Sequence, residues 1–304
     1  MVPRKILIID DERVQAEALA KNVLKEVAYS TVICASTEDE INSAIEDKFY
    51  NLAILDIRMD DYDFDGIELA EKIVEINPFA KILFVSKFIP EYYEKITSLM
   101  KNGNILGFME KKVDYSEWRT ELKRIIEKYY DDLDSDPQQI SSALINLYAE
   151  VKDESDTFRK GQRFENFVAL LFQNIGFSEI LKRVKDISLN ETDLIVRNDI
   201  DDNFLSKFGK YILIECKNKP STKVDKNDFI VFQNKLTATN GLAELGFIFT
   251  TSSFTRTAYV EAARDSKGPV KVIFVDNPLI MRLLKSSNPR EMLKRIIDEQ
   301  VKDN

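Results

Sequence analysis

The 304-residue chain contains no histidine, and it has two cysteines and one tryptophan. Without histidine, Ser-His-Asp and Cys-His catalysis, a histidine general base and a histidine-ligated zinc are all excluded. Two cysteines, Cys34 and Cys216, are too few for a zinc cluster or a disulfide framework, so we expect a reducing cytoplasm as the location. No apolar run approaches the roughly 18 residues of a membrane span, and we expect neither a signal peptide nor a transmembrane segment.

Charged residues make up 31% of the chain and hydrophobic residues 44%, a composition typical of a globular protein. The length predicts two domains. The net charge of −9 is unevenly spread. Residues 1–130 carry 18 basic and 25 acidic side chains, residues 131–156 carry 1 and 8, and residues 157–304 carry 24 and 19. We therefore expect an acidic domain, an acidic helical linker and a mildly basic domain over these ranges. The basic excess suits a polyanionic partner, although ordinary variation also explains it.

The first domain alternates short apolar runs with amphipathic stretches. The pattern predicts strands at 5–10, 31–36, 52–56, 81–86 and 105–110, and helices at 13–27, 38–48, 66–77, 90–102 and 114–130. The side of the first helix that carries Val14, Leu19, Val23 and Leu24 is expected to be its apolar face. This alternation predicts a flavodoxin-like (βα)5 domain of the α/β class, with a parallel sheet and helices on both faces.

Charged and hydroxyl side chains lie at the carboxyl ends of several of these strands. Asp10 and Asp11 lie at the end of the first strand, Asp56 ends the third, Ser86 ends the fourth, and Lys111 follows the fifth. In a doubly wound sheet the carboxyl ends of the strands form one edge, where ligands bind. Carboxylates there favour Mg²⁺, and a lysine ammonium would stabilise phosphate beside a nucleophilic carboxylate. Alternatively, acids at strand ends cap the following helices.

The segments KILIIDDE, LAILDIRM, FVS and GFMEK, with the Asp65-Gly66 pair, resemble the receiver domain of two-component response regulators over residues 4 to about 128. The resemblance implies that Asp56 is the phosphoacceptor and that a sensor histidine kinase is the phosphodonor. It implies a Mg²⁺ site formed by Asp10, Asp11, Asp56 and a backbone carbonyl near Ile57 and Arg58. It implies that Ser86 and Lys111 contact the phosphoryl group and that Phe108 is the aromatic switch residue.

Three features depart from the receiver pattern. Lys112 stands where a proline usually follows Lys111, and Lys87 stands where a small residue usually follows Ser86. The segment between Asp56 and the Asp65-Gly66 pair is two residues longer than usual. These departures bear on the lifetime of a phosphoryl group more than on its formation.

The second domain has a mixed α/β pattern. It predicts strands at 179–184, 192–197, 211–217, 245–251 and 271–276, and helices at 157–175, 224–240, 255–266 and in the tail. A further helix is predicted at 138–151, within the linker.

The strand YILIECK places Glu215 and Lys217 on one face and Cys216 on the other, because side chains alternate along a strand. Asp193 lies 22 residues before Glu215, in TDLIVR. Two carboxylates on adjacent strands would bind Mg²⁺, which polarises a phosphoryl oxygen, and Lys217 would act on a water or on developing charge. Taken alone, Glu-x-Lys is also a common solvent-facing strand pair.

The order of GQRFENF, TDLIVR, ECK, FIVFQNK and GFIFTTSSFTRTA resembles Mrr-type restriction endonucleases of the PD-(D/E)xK superfamily, over about 158–275. The resemblance implies a restriction endonuclease-like α/β fold and a metal site of Asp193 and Glu215, with Lys217 completing the catalytic core. It implies accessory roles for Glu165 and Gln233. The glycines that often flank the aspartate are absent, so Asp186 or Glu191 in a shifted register stays an alternative to Asp193.

Together these features predict a cytoplasmic response regulator with a DNA endonuclease output. Mg²⁺ is expected in both domains, with Mn²⁺ as a substitute. The expected partners are a sensor histidine kinase, DNA and a second copy of the chain in a homodimer, with no membrane. One alternative is a phosphorylation-controlled DNA-binding protein whose nuclease fold does not cut. Another is a nuclease acting on RNA or on structured or modified DNA.

Overall fold

The computed structural model describes residues 4–48, 50–87, 92, 103–111, 115–135, 138–185, 191–265 and 268–303. The chain divides into two compact units, Met1–Ala143 and Leu144–Asn304. Apart from Tyr92, the helix predicted at 90–102 lies outside the described residues. Among the residues described, no helix is long and apolar enough to cross a membrane.

The first unit is built on a five-stranded parallel sheet of order β2-β1-β3-β4-β5. Its strands are β1 (Arg4–Ile9), β2 (Ser30–Ala35), β3 (Leu52–Leu55), β4 (Lys81–Ser86) and β5 (Ile105–Glu110). Its described helices are α1 (Arg13–Glu26), α2 (Glu38–Asp47), α3 (Gly66–Ile76) and α4 (Tyr115–Ser135). The strand order and directions confirm the predicted flavodoxin-like α/β fold.

Both faces of this sheet are covered by helices. Ile6 and Ile8 of β1 pack with α1 and α4, whereas Leu7 and Ile9 pack with α2 and α3. Side chains alternate across a strand, so a sheet buried on both faces needs apolar residues at every position. This requirement explains why the strands are continuous apolar runs.

The predicted apolar face of α1 needs a correction. Val14 and Leu24 are 80% and 53% exposed, and the buried side instead combines Leu19 and Val23 with two alanines, Ala16 and Ala20. Alanine has a short side chain, so it lets the helix lie close to the sheet. The prediction gave weight to the large apolar residues and missed this small-residue stripe.

Much of the predicted linker lies within the two units. The helix predicted to end at residue 130 continues as α4 to Ser135, and Leu133 is buried in the core of the first unit. A second helix, α5 (Gln138–Asp153), contains the boundary between the units. Beyond that boundary its apolar residues are buried: Leu144, Tyr148 and Val151.

A fragment of residues 157–304 is therefore expected to be less stable than a fragment of residues 138–304. The shorter fragment loses Tyr148, whose ring lies 4.9 Å from that of Phe167 and whose hydroxyl donates to Asn277 Oδ1 at 2.9 Å. Burial of each large apolar side chain contributes about 1.5–3 kcal/mol. Thermal unfolding followed by circular dichroism measures the difference. Equal midpoints would show that α5 is not part of the second unit.

The second unit has a five-stranded mixed sheet of order β10-β9-β8-β7-β6. Its strands are β6 (Ile180–Lys185), β7 (Glu191–Arg197), β8 (Tyr211–Lys217), β9 (Leu245–Thr250) and β10 (Lys271–Val275). The last three run parallel, and β6 and β7 are antiparallel to their neighbours. Its helices after α5 are α6 (Thr157–Ile175), α7 (Lys226–Thr237), α8 (Arg256–Arg264), α9 (Asn277–Leu284) and α10 (Pro289–Asp303), with a 3-10 helix at Leu205–Phe208.

Helices cover this sheet on both sides. Leu213 of β8 packs in one core cluster with Phe229 and Phe232 of α7. On the other side, Phe172 of α6 makes an edge contact with the ring of Phe247 in β9. Residues 215 and 217 continue the face of Leu213, so their side chains leave the sheet on the side of α7.

Candidate functional site

In the first unit, Lys111 brings the ends of β1 and β3 together. Its Nζ lies 2.7 Å from Asp10 Oδ2, contacts the carboxylate of Asp56, and lies 2.8 Å from Gln15 Oε1. Asp10 follows β1 and Asp56 follows β3, so this cluster lies where the strand order of the sheet reverses. The sequence predicted both acids and the lysine at this edge but not Gln15.

The charges in this cluster are not balanced. Burial raises the pKa of Asp10 above its ordinary value, although Lys111 opposes the shift. Burial would lower the pKa of Lys111, but its bonds to Asp10 and Asp56 outweigh that effect and raise it. Two carboxylates therefore share one ammonium, and Asp11 lies next along the chain.

The oxygen donors of this cluster suit a hard cation. Among the described residues, no group of three or more histidine, cysteine, aspartate or glutamate side chains is arranged as a metal site. Mg²⁺ commonly uses one or two carboxylates and fills its other positions with water or backbone oxygens. Asp10 and Asp56, with Asp11 nearby, fit that requirement.

The loop after Asp56 is closely packed. The Arg58 amide donates to Asp56 Oδ1 at 3.3 Å, and the Gly66 amide donates to the Ile57 carbonyl at 2.7 Å. A Cβ atom at Gly66 would lie 1.9 Å from the Asp56 carbonyl oxygen. Glycine is therefore required here by the close approach of two backbone segments.

Replacing Gly66 with alanine should destabilise the first unit, by about 1–3 kcal/mol or more, because the added methyl meets backbone rather than a flexible side chain. Urea unfolding of the full chain measures the change. Gly107→Ala is the control, since a Cβ there meets only Leu83 Cδ1 at an ordinary 3.7 Å. Equal losses in the two variants would contradict the packing described for Gly66.

Ser86 and Phe108 lie on the neighbouring strands. Ser86 ends β4 and is fully buried, and its carbonyl accepts from the Lys111 amide at 3.2 Å, which fixes the start of the segment after β5. The ring of Phe108 stacks on that of Phe84 with centroids 5.4 Å apart. Lys87 is exposed, and Lys112 lies outside the described residues.

The two extra residues in the loop before Asp65 belong to a packed segment. Tyr62 and Phe64 stack with ring centroids 5.0 Å apart, and the Tyr62 hydroxyl donates to the Ser36 carbonyl. Burial raises the pKa of Tyr62, and the nearby charges of Asp61 and Asp11 add to the shift. The longer loop therefore packs over the core beside Asp11.

In the second unit, Asp193 and Glu215 meet across β7 and β8. Leu194 pairs with Ile214 in this antiparallel ladder, so the next position places Asp193 opposite Glu215. Lys217 Nζ lies 2.7 Å from Glu215 Oε1, and the Cys216 amide donates to Asp193 Oδ2 at 2.7 Å. The structure thus brings together the three residues predicted as the catalytic core.

Within the carboxylate pair, Asp193 is the member with the strongly raised pKa. The pKa of Asp193 is raised to about 7, mainly by burial and secondly by the negative charge of Glu215. Burial would lower the pKa of Lys217, but attraction to Glu215 raises it instead. A buried pair of carboxylates with one member so easily protonated is a suitable donor set for a divalent cation.

Glu165 is held near this pair by an arginine. Its Oε2 lies 2.9 Å from Arg183 Nε, burial raises its pKa, and its charge also contributes to the raised pKa of Asp193. Arg183 has φ +53°, in the left-handed region, at the position that β6 presents opposite Asp193. A non-glycine residue in this backbone conformation is strained by about 1–2 kcal/mol. Strain of this kind is common at functional sites.

Gln233 requires a correction, because its side chain is not beside the carboxylates. Its amide donates to Asp265 Oδ2, just after α8. Lys235 reaches Glu215 instead, with Nζ 3.0 Å from Oε2. Gln233 and Lys235 lie on opposite sides of the buried face of α7, because residues two positions apart point in different directions on a helix. Gln233 therefore contacts Asp265, whereas Lys235 contacts Glu215.

Asn218, directly after Lys217, links this strand to two helices. Its amide donates to the carbonyls of Val151 in α5 at 3.1 Å and of Lys160 in α6 at 3.0 Å, and its Oδ1 accepts from Thr251. The C-terminal end of α5 is thus attached one residue from the candidate site. No local sequence pattern predicts this contact.

Other positions have structural roles. Glu191 is exposed, and its backbone carbonyl accepts from Lys235. Asp186, the other alternative to Asp193, lies outside the described residues. Burial raises the pKa of the Cys216 thiol well above its ordinary value. The Thr255 side chain caps α8 by accepting from the Ala258 amide.

Two family models match the chain. Residues 6–123 match the response regulator receiver domain, and residues 159–284 match the restriction endonuclease family of the Mrr catalytic type. No curated protein matches the chain at a significant level.

Solved structures with similarity include a CheY-like receiver domain protein from Methanospirillum hungatei, with 25% identity, TM-score 0.35, and coverage of 43% of this chain and 99% of that one. A response regulator from Thermotoga maritima, in complex with Mg²⁺ and BeF, has 24% identity, TM-score 0.32, and coverage of 40% and 98%. The N-terminal domain of a response regulator/sensory box/GGDEF protein from Carboxydothermus hydrogenoformans has 23% identity, TM-score 0.35, and coverage of 43% and 99%.

The chain is therefore a response regulator receiver domain joined to an Mrr-type restriction endonuclease domain. Its architecture is that of a response regulator with a nuclease output domain.

Proposed function

We propose that the protein is a metal-dependent DNA endonuclease whose activity is controlled by phosphorylation of Asp56. The observation that carries the proposal is the arrangement of Asp193, Glu215 and Lys217 on two paired strands, within a domain of the restriction endonuclease family. The proposed partners are a sensor histidine kinase, DNA and a second copy of the chain. A homodimer would place two sites on the two strands of a duplex.

In the receiver domain, the Asp56 carboxylate is the proposed nucleophile. One of its oxygens attacks the phosphorus of a phosphohistidine on the kinase, and the phosphorus–nitrogen bond breaks. Lys111, already in contact with this carboxylate, stays beside the new phosphoryl group and offsets its charge. Asp10, Asp11 and Asp56 would hold Mg²⁺, which supplies further positive charge.

In the nuclease domain, Asp193 and Glu215 are the proposed ligands of Mg²⁺ or Mn²⁺. When bound, the cation supplies charge stabilisation for the phosphate and favours loss of a proton from water. Lys217 orients the attacking water and offsets the negative charge that develops on phosphorus. Glu165, held by Arg183, adds negative potential beside the cation.

The route of control proposed here runs through α5. This helix begins in the receiver unit and ends in the nuclease unit, where its Val151 carbonyl accepts from the side-chain amide of Asn218, next to Lys217. A displacement of α5 after phosphorylation would therefore act directly on the end of β8. Placement of the protein in the cytoplasm stays a prediction from the sequence.

Nicking of supercoiled plasmid tests the proposal. Cleavage with Mg²⁺ or Mn²⁺, and none with EDTA, is the expected result. DNA binding without cleavage under all conditions would favour the alternative of a non-cutting DNA-binding module. Cleavage confined to RNA, or to structured or modified DNA, would change the substrate but keep the catalytic assignment.

A further inference from the structure

Both carboxylate oxygens of Glu215 accept from lysines. Lys217 Nζ lies 2.7 Å from Oε1 and Lys235 Nζ lies 3.0 Å from Oε2. Glu215 is only 6% exposed, so these ammonium groups dominate its surroundings. Lys217 is its neighbour along the same strand, whereas Lys235 comes from α7 and has no part in the function proposed above.

Lys235 is held by a second contact. Its Nζ also donates to the Glu191 backbone carbonyl at 2.7 Å, at the start of β7. Its side chain is 17% exposed, so the ammonium bridges two strands in a largely buried position while keeping some access to solvent. A largely buried charge at this position requires partners, and Glu215 supplies its counter-charge.

The ammonium groups balance the proposed metal ligands. Asp193 and Glu215 bring two negative charges when both are ionised, and Lys217 and Lys235 bring two positive charges. A divalent cation that enters this cluster must share Glu215 Oε2 with Lys235, and it is repelled by the positive charge of the Lys235 ammonium. A DNA phosphate adds a negative charge and is itself an acceptor for a lysine ammonium.

We propose that Lys235 makes divalent-cation binding at Asp193 and Glu215 depend on bound DNA. In the free protein the Lys235 ammonium occupies Glu215 Oε2. When DNA binds, the ammonium turns to a backbone phosphate and leaves that oxygen to the cation. Lys235 is thus a positioning residue that acts through Glu215, and the inference rests on the proposed nuclease function.

Titration of the full-length protein with Mn²⁺, followed by the electron paramagnetic resonance of free Mn²⁺, tests this dependence. Without DNA, Lys235→Gln should bind Mn²⁺ about tenfold more tightly than the wild type, within the usual range of coupling between sites. Lys235→Arg keeps the charge and should bind as the wild type does. Lys219→Gln is the matched control, because it removes the same charge from an exposed pair with Asp228.

A second titration contains a saturating DNA duplex with phosphorothioate linkages that resist hydrolysis. DNA should tighten Mn²⁺ binding by the wild type about tenfold and should have little effect on Lys235→Gln. Because linkage is reciprocal, Mn²⁺ should strengthen DNA binding by the wild type by the same factor.

In the double variant Asp193→Asn/Lys235→Gln, the gain in Mn²⁺ affinity must disappear. This result would show that the gain arises at the nuclease site and not at the receiver domain. If Lys235→Gln binds Mn²⁺ as the wild type does while Asp193→Asn loses a bound ion, the role of Lys235 is overturned and the nuclease proposal stands. If Asp193→Asn loses no bound ion, both fall. Circular dichroism monitors folding, and Lys235→Met carries the same prediction should Lys235→Gln not fold.

Discussion

Alanine in place of Glu215 is expected to abolish both DNA cleavage and metal binding at the nuclease site. Glu215 and Asp193 are the paired carboxylates of β8 and β7, and both are proposed as ligands of the same cation. Loss of one such group commonly lowers a rate by about 10²–10⁴. Asp193→Ala should have the same effect. Plasmid nicking rates and Mn²⁺ binding measure the two losses.

Lys217→Ala should separate the two properties. Lys217 contacts Glu215 but is proposed to act on water and phosphorus, so its loss should stop cleavage without removing the cation. Metal binding should become tighter, because a positive charge next to the ligand is gone. Loss of metal binding in this variant would contradict the role given to Lys217.

Cys216→Ser is the internal control for the register of β8. The residue contributes its amide, not its side chain, to Asp193, and serine keeps that amide. The variant should cut DNA, provided circular dichroism shows it to be folded. Gln233→Ala should also retain activity, because the Gln233 side-chain amide donates to Asp265 and not to the candidate site. A folded but inactive Cys216→Ser, together with active Glu215→Ala and Lys217→Ala, would overturn the assignment.

Asparagine in place of Asp56 is expected to abolish acid-labile phosphorylation by acetyl phosphate. The amide keeps an oxygen that can accept from the Arg58 amide and from Lys111, so the fold should be retained while the nucleophile is lost. Intact-mass spectra measure the phosphoryl adduct.

Asp60→Asn is the matched control for this experiment. Asp60 lies four residues further along the same loop, is 63% exposed, and pairs with Arg58 at 2.5 Å. This variant should be phosphorylated as the wild type is. An acid-labile adduct that persists in Asp56→Asn would show that another residue accepts the phosphoryl group.

The order and type of the elements could be predicted because strands buried on both faces are continuous apolar runs, as in β1 and β4. Helix ends and buried faces were less predictable. The acidic run after Tyr130 favoured a break, but Leu133 packs in the core and keeps α4 helical to Ser135. The small-residue stripe of Ala16 and Ala20 was missed because hydrophobicity alone favours large side chains.

The candidate sites were predictable where a motif lies on one strand or at a strand end. Glu215 and Lys217 follow from strand alternation, and Asp10 and Asp56 follow from the common edge of parallel strands. Lys235 and Asn218 could not be found in this way, because their contacts depend on the packing of α5, α6 and α7 against β8. Such contacts have no local signature in the sequence.

Control of a metal-dependent nuclease by Asp56 is tested most directly by plasmid cleavage with Mg²⁺, measured with and without acetyl phosphate for the wild type, Asp56→Asn and Glu215→Ala. We expect the phosphodonor to change the cleavage rate of the wild type and to leave that of Asp56→Asn unchanged, while Glu215→Ala does not cut under either condition. A wild-type rate that acetyl phosphate leaves unchanged, or cleavage that persists in Glu215→Ala, would contradict the proposed function.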